Sequence, residues 1–250
     1  DPRAPFVGRT AFAHKGGMHV NAVNKLAASF EHIAPGEVGN HQRILVGELS
    51  GGANVMMKAR ELGIALDEKA ASTRNILAHI KKMEKEGYEF EAADASFELL
   101  VRRSLEKLPA PFQLDSYKVE VARAQPKVRE TSKATVTVRV GKKTCRTSAT
   151  GDGPVNALDA ALRKALLPFF ANLKKLRLID YKVRIVNSRG GTAACTRVLV
   201  ESTDGQRAWG TVGVSTNILE ASAQALIDSL SYFLLPGGKE KRVEKSAPVR

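Results

Sequence analysis

Two histidines, His14 and His19, flank a glycine pair in the segment AFAHKGGMHVNAVNK near the start of the chain. Because they are five residues apart, a helix would turn them about 500° from one another, onto different faces. Zinc-binding HExxH helices separate their histidines by about one turn instead. The spacing therefore argues against a helical metal pair. It leaves two interpretations: an imidazole that a glycine hinge presents for proton transfer, or structural histidines in a loop and at a helix cap.

The turn GDGP at residues 151–154 comes directly before a helical pattern and is a second candidate site. Free backbone N–H groups at the start of a helix attract a carboxylate or a phosphate. The stretch GVST at residues 213–216 is its predicted counterpart, with Ser/Thr caps, so the two turns could frame one small-molecule site. Since neither GxGxxG nor GxxxxGKS/T occurs, a nucleotide site is not indicated. The alternative is a tight turn into a capped helix.

The composition is that of an ordinary folded protein, with 43% hydrophobic and 26% charged residues. No apolar run reaches the roughly 18 residues of a membrane span, and no signal segment opens the chain. The cysteines Cys145 and Cys195 lack metal-site spacing, which favours reduced strand thiols in a cytoplasmic protein. The net charge of +13 is spread along the chain. Without a recognisable nucleic-acid-binding motif, binding to nucleic acid stays only an alternative.

Helical periodicity dominates residues 1–108, and alternating strand patterns follow two prolines. Asp67 and Asp152 are predicted to start two of the helices. Helices are predicted over residues 18–28, 53–62, 67–86, 92–105, 154–173 and 217–234. Strands are predicted over residues 117–122, 135–140, 144–150, 178–186, 196–201 and 209–214. We therefore predict mostly helical linker subdomains (1–108), a second domain (109–236) and a disordered basic tail (237–250).

The second domain contains an internal repeat. NALDA matches NILEA at an offset of 61 residues, and YKV matches a second YKV at an offset of 64, a difference that indicates a loop-length change. Two βββα units follow, which together with the helical part give an α+β fold. One three-stranded sheet with one helix buries little apolar surface. We therefore expect the units to pack about a pseudo-two-fold axis, and the remaining apolar faces to favour a homodimer.

The motifs also occur in a recognisable order. AFAHKGGMHVNAVNK, FEHIAPGEVGN and ELSGGAN lie in the first part, and GDGPVNALDAAL, DYKVRI and VGVSTNILEAS in the second. Over residues 5–236 the chain resembles the 2-isopropylmalate synthase family, and in particular its citramalate synthase branch. The resemblance implies linker subdomains followed by the family's regulatory domain, with the catalytic (β/α)8 barrel absent from this chain.

The resemblance implies a reaction as well. Enzymes of the family are acyltransferases that condense acetyl-CoA with a 2-oxo acid, pyruvate in the citramalate branch. A divalent metal on the barrel binds the oxo acid, so no metal or other cofactor is expected in this segment. The residue matching His19 is thought to assist proton transfer in a partner subunit, and His14 precedes it. Relatives usually carry Tyr where Phe30 stands, and a phenyl ring cannot donate a proton. This segment alone is expected to be inactive.

For the regulatory domain, the resemblance implies a dimer that binds the pathway's end product: isoleucine for a citramalate synthase, leucine for a 2-isopropylmalate synthase. Such feedback couples two sites by about 1–3 kcal/mol. The candidate contacts with the amino acid lie in the helix-start turns, at Asp152, Gly153, Pro154, Asn156, Ser215 and Asn217. The sequence thus predicts part of a cytoplasmic, isoleucine-regulated enzyme. A leucine-regulated relative is the first alternative and a basic nucleic-acid-binding protein the second.

Overall fold

A computed structural model describes ten stretches of the chain: residues 4–8, 10–14, 22–23, 25–26, 29–44, 52–67, 69–106, 108–122, 131–186 and 188–235. The α-helices are α1 (Gly52–Glu61), α2 (Ala71–Lys85), α3 (Asp94–Glu106), α4 (Pro154–Leu166) and α5 (Ile218–Leu234). The strands are β1 (Ala13–His14), β2 (Arg43–Ile44), β3 (Gln113–Ala122), β4 (Thr131–Val140), β5 (Lys143–Gly151), β6 (Arg177–Ile185), β7 (Thr196–Thr203) and β8 (Ala208–Ser215). This is an α+β arrangement with two three-stranded antiparallel sheets and, among the described residues, no barrel.

The helices before the sheets end where the sequence predicts. Gly63 and Gly87 follow α1 and α2 with φ of +74° and +104°, left-handed values that glycine adopts without a Cβ clash. The predicted start of α2 at Asp67 is wrong, since the helix begins at Ala71 without a side-chain cap. The Asp67 carboxylate instead accepts from the Lys69 N–H at 3.0 Å, in a separate turn before the helix.

The first βββα unit forms as predicted, with longer strands. β4 lies between β3 and β5 in an antiparallel meander. Alternate residues of β4, Ala134, Val136 and Val138, are completely buried, as expected for a sheet with one face against the core. They pack with the apolar stripe of α4, which includes Leu158 and Leu162. The helix covers this face, and the opposite face carries mainly polar side chains.

The second unit repeats the first at a constant spacing of 64 residues. Tyr117 is paired with Val136 in the first sheet, and Tyr181 with Val200 in the second. Both sheets also carry a register shift near the start of their first strand, at residues 114–116 and 178–180. The strand part of the predicted repeat is therefore confirmed residue by residue.

The same spacing continues into the helices. The N-caps of α4 and α5 are Gly153 and Asn217, which are 64 residues apart. Thr147 and Thr211, also 64 apart, each donate through Oγ1 to a helix carbonyl, at 3.1 and 2.8 Å. The predicted offset of 61 between NALDA and NILEA is wrong, because Asn156 lies inside the first turn of α4 whereas Asn217 precedes α5. No loop-length change separates the two units.

Strand β8 is packed on both faces. On one face Gly213 approaches α5, where an added Cβ would lie 2.0 Å from the Ala221 carbonyl oxygen. On the other face Gly210 approaches the chain just before α3, where an added Cβ would lie 1.8 Å from the Ala92 carbonyl oxygen. Val212 joins the core of α1, α2 and α3. Helix α3 thus packs on the second sheet, and the division between domains at residue 108 stays a prediction.

Candidate functional site

His14 and Glu31 form a close pair at the start of the chain. The Nε2 of His14 lies 2.9 Å from Glu31 Oε1, and only 12% and 3% of the two side chains are exposed. In a neutral imidazole whose Nε2–H donates to the carboxylate, Nδ1 is the acceptor nitrogen. The pair can therefore fix the orientation and the tautomer of an imidazole, which proton transfer requires. His14 is a predicted site residue, whereas Glu31 is not, because its only signal in the sequence is its place in the FEHI motif.

The other predicted residues of this segment are placed differently. His19 and most of the predicted helix over residues 18–28 lie outside the described residues, so its assignment stays a prediction. Phe30, next to Glu31, is 49% exposed, and its ring supplies no hydroxyl. His32, His41 and His79 are exposed, as expected for His79 on a helix surface.

The turn before α4 is closed by its own polar groups. Gly153 is the N-cap in an extended conformation, and Pro154 opens the helix. The Oδ1 of Asn156 accepts from the Asp152 N–H at 3.2 Å, so a residue inside the first turn reaches back to the loop. The predicted helix start at Pro154 is confirmed, whereas the N-cap is Gly153 rather than Asp152. Asp152, Gly153, Pro154 and Asn156 thus lie together at the start of α4, and their role as effector contacts stays a prediction.

The turn before α5 uses a different cap. Asn217 Oδ1 accepts from the Leu219 N–H at 2.9 Å, and Ser215 Oγ accepts from the Asn217 N–H at 3.0 Å. The predicted Ser/Thr cap is therefore an Asn cap. The predicted counterpart of GDGP at residues 213–216 is also displaced, since Gly213 lies within β8. At the constant spacing of 64, the counterpart is residues 215–218.

The hydrogen bonds that cap the two helices each join neighbouring residues of one helix start. Two cavities, of about 390 and 540 Å³, lie elsewhere, and neither is lined by the six predicted effector contacts. The joint site that the sequence analysis expected between the two turns therefore stays a prediction.

The two units do meet at a tyrosine that sequence reasoning missed. The hydroxyl of Tyr117 on β3 donates to Glu220 Oε2, in the first turn of α5, at 2.8 Å. Gln224 Nε2 donates to the other Glu220 oxygen at 3.3 Å, and Tyr88 donates to Gln224 Oε1 at 2.9 Å. Burial, reinforced by the hydrogen bond to Glu220, raises the pKa of Tyr117 to about 12. A row of hydrogen bonds thus joins the first unit to α5 and to the end of the linker helices.

Metal ligands and membrane spans were also sought. Among the described residues, no three His, Cys, Asp or Glu side chains are placed to hold a metal ion together. Cys145 lies in β5, as predicted, and Cys195 in the loop before β7 rather than in a strand; both are free. No described helix is long and apolar enough to cross a bilayer.

Comparison with known proteins gives the family. Residues 91–234, more than half of the chain, match the family described as the LeuA allosteric (dimerisation) domain. The chain belongs to this family. Residues 6–88 match the family described as homocitrate synthase post-HMGL domain-like. The first match covers α3 and both βββα units, and the second covers α1 and α2. The resemblance drawn from the motifs is confirmed.

Individual relatives are enzymes of the expected group. The (R)-citramalate synthase of Aquifex aeolicus is 50% identical over 94% of this chain and 45% of its own length. That of Geobacter sulfurreducens is 49% identical over 92% of this chain and 43% of its own. The 2-isopropylmalate synthase of Methanocaldococcus jannaschii is 28% identical over 93% and 43%. The chain thus spans less than half the length of these relatives.

Proposed function

We propose that this chain is the linker and regulatory region of an (R)-citramalate synthase, a cytoplasmic acyltransferase that condenses acetyl-CoA with pyruvate in isoleucine biosynthesis. The observation that carries the proposal is the identity of 49–50% with two citramalate synthases, against 28% with the 2-isopropylmalate synthase. Because the chain spans less than half of those relatives, the condensation would need the barrel of a longer protein. This region by itself would be inactive.

In the longer enzyme, a divalent metal on the barrel would polarise the oxo acid. The residues of this chain would serve proton transfer instead. Glu31 would keep the His14 imidazole in one tautomer, and His19 would reach the active site of the partner subunit. Phe30 would shape that site without donating a proton, since it has no hydroxyl.

Dimerisation would use the open edge of the second sheet, which is formed by β6. Among the described strands, β6 pairs only with β7, so one of its edges carries unpaired backbone groups. Val183 and Ile185 on β6 are 40% and 64% exposed, and Ile218 at the start of α5 is 43% exposed. Exposed aliphatic side chains beside an open edge favour a second copy as partner. Within each copy, the constant 64-residue spacing supports a pseudo-two-fold relation between the units.

This interface can be tested by sedimentation. Ile185→Asp places a charge beside the open edge and is expected to convert the dimer into monomer. Val121→Asp puts the same charge on the end of β3, where Val121 is 55% exposed against 64% for Ile185; it is the matched control and should stay dimeric. Equal dimerisation of both variants would contradict the proposed surface.

The effector would bind at the helix-start turns. The Asp152 and Asn217 N–H groups already donate within their turns, so the backbone N–H of Gly153 would meet the carboxylate of the amino acid. Its ammonium group and side chain would lie between the units, beside Ser215 and Asn217. Tyr117 and Glu220 support this placement, because they join the first unit to the first turn of α5. Binding there would alter the contact between the units, and through it the dimer.

A thermal shift measurement tests the function. Isoleucine at about 100 times its dissociation constant would stabilise the fold by about 2.7 kcal/mol, which is roughly 5–10 °C for a chain of this size. Gly153→Ala is the site variant, because an added Cβ has no neighbour within 4 Å and the fold is preserved. It should reduce the shift, whereas Gly190→Ala, which makes ordinary contact, should not. A larger shift with leucine would favour a 2-isopropylmalate synthase, and no shift with either would overturn the proposal.

A further inference from the structure

A second binding site is indicated between the linker helices and the regulatory domain. A cavity of about 390 Å³ opens between α2, α3 and α5, a size typical of small-molecule sites. Its apolar wall includes Met83 of α2, Phe90, Leu100 of α3 and Ile227 of α5. Its lining comes from both matched families, residues 6–88 and 91–234, so an occupant would contact both parts of the chain.

The carboxylate that lines this cavity, that of Asp228, already has partners. Asp228 Oδ2 accepts from the Ser96 hydroxyl at 2.8 Å, and Oδ1 accepts from Arg103 at 3.1 Å. Ser96 Oγ accepts in turn from the Val212 N–H at 3.0 Å. Only 21% of the Asp228 side chain is exposed. The carboxylate is therefore poorly placed to attract a cationic ligand.

Donors remain available at Arg103. A guanidinium group has five N–H donors. The hydrogen bond that Arg103 makes to the described residues goes from Nη1 to Asp228, so it uses one of the five. Its side chain is 37% exposed and lines the cavity. His79 at the same rim is exposed and adds a ring N–H. The positive charge and remaining donors of Arg103 therefore suit an anion, and the apolar wall of the cavity suits aliphatic groups.

We propose that this cavity binds a small aliphatic carboxylate, with the carboxylate on the free N–H groups of Arg103 and the hydrocarbon between Met83, Leu100 and Ile227. A planar guanidinium pairs with a carboxylate through two parallel hydrogen bonds. The aliphatic group gains by leaving water. The site is distinct from the helix-start turns, and it does not depend on which amino acid binds there.

Methyl-labelled methionine gives a direct readout, because the chain has four methionines and Met83 lines the cavity. Met83→Leu assigns its signal. Isovalerate, isovaleramide and isoamylamine carry similar branched groups with an anionic, a neutral and a cationic head, and they serve as the probes. Saturable movement of the Met83 signal with isovalerate alone is the expected result. Equal binding of the amide or the amine would overturn the proposal, as would a Met83 signal that isovalerate does not move.

Variants locate the contact. Arg103→Leu should weaken isovalerate binding about tenfold or more, the usual effect of losing a charged hydrogen bond. Arg102→Leu is the matched control, since it removes the same charge from the neighbouring position, which pairs with Glu98 and does not line the cavity. Should Arg103→Leu fail to fold, Leu100→Trp fills the cavity and should abolish binding. Unchanged affinity in whichever of these two variants folds would overturn the proposal.

The result can be separated from that of the proposed effector site. Gly153→Ala should weaken isoleucine binding and leave the isovalerate titration of Met83 unchanged, whereas Leu100→Trp should do the reverse. Loss of both titrations through Gly153→Ala alone would contradict two independent sites.

Discussion

Gly210→Ala tests how β8 connects the linker helices to the regulatory domain. In the native chain an added Cβ would lie 1.8 Å from the Ala92 carbonyl oxygen and 2.9 Å from its carbon. A carbon and a carbonyl oxygen normally stay about 3.3–3.6 Å apart, so the two backbones must separate by roughly 1.5 Å. The backbone of residue 210 fixes the position of the Cβ, and its neighbour is a backbone oxygen, so no side-chain rotation can relieve the contact.

The cost follows from this displacement. Overpacking a well-filled core usually costs about 1–3 kcal/mol, and a rigid backbone contact belongs at the upper end. At roughly 2–4 °C per kcal/mol for a chain of this size, the melting temperature should fall by about 6–12 °C. Amide exchange should also quicken in α3, because its start at Asp94 follows directly on the displaced segment.

Chemical denaturation and thermal unfolding measure the change. Gly190→Ala is the control in the same unit, because its Cβ would lie 3.7 Å from Ala194 Cβ, an ordinary contact; it should stay within about 0.5 kcal/mol of the native chain. If Gly210→Ala unfolds at the same temperature as Gly190→Ala, the close approach of β8 to the start of α3 is refuted.

Three further changes test the cap, the contact between units and the buried acid. Asn217→Ala removes the acceptor for the Leu219 N–H and should cost about 1 kcal/mol in urea unfolding; an unchanged midpoint would refute the cap. The native chain should lose stability as pH rises from about 10 towards the Tyr117 pKa of about 12, because the fold favours the protonated phenol. Tyr117→Phe should lessen that loss and should remove the last step in tyrosinate absorbance. If the variant keeps both the alkaline unfolding curve and the last absorbance step of the native chain, the hydrogen bond is refuted. Burial raises the pKa of Asp228, while the charge of Arg103 opposes the shift. The free energy of unfolding should therefore fall as pH rises from the ordinary aspartate range through the raised pKa. Asp228→Asn should flatten this dependence, and an identical pH profile of the variant and the native chain would contradict the expectation.

Much of the regulatory domain was predictable, because its strands alternate and its repeat is visible in the sequence. Val136 and Val200 occupy matching positions in their sheets. The helix predicted over residues 154–173 ends at Leu166 instead, since Pro168 cannot continue it. Pro168 is visible in the sequence, and its effect on the helix is stronger than that of the apolar periodicity that continues after it.

Contacts between distant segments were not predictable. Tyr117 and Glu220 are 103 residues apart, and no periodicity relates a strand position to a helix position in another unit. Gly210 reads locally as a weak strand residue, and only the approach of Ala92 shows why it has no side chain. The predicted offset of 61 is wrong for a similar reason. The asparagines that begin NALDA and NILEA match in sequence, but Asn156 lies in the first turn of α4 and Asn217 is the N-cap of α5.

Calorimetric titration with L-isoleucine tests the central claim most directly, that this chain is an amino-acid-binding regulatory region. We expect saturable binding to the native chain, weaker binding to Gly153→Ala, and weaker binding of leucine than of isoleucine. Absence of binding by either amino acid to the folded native chain would contradict the account.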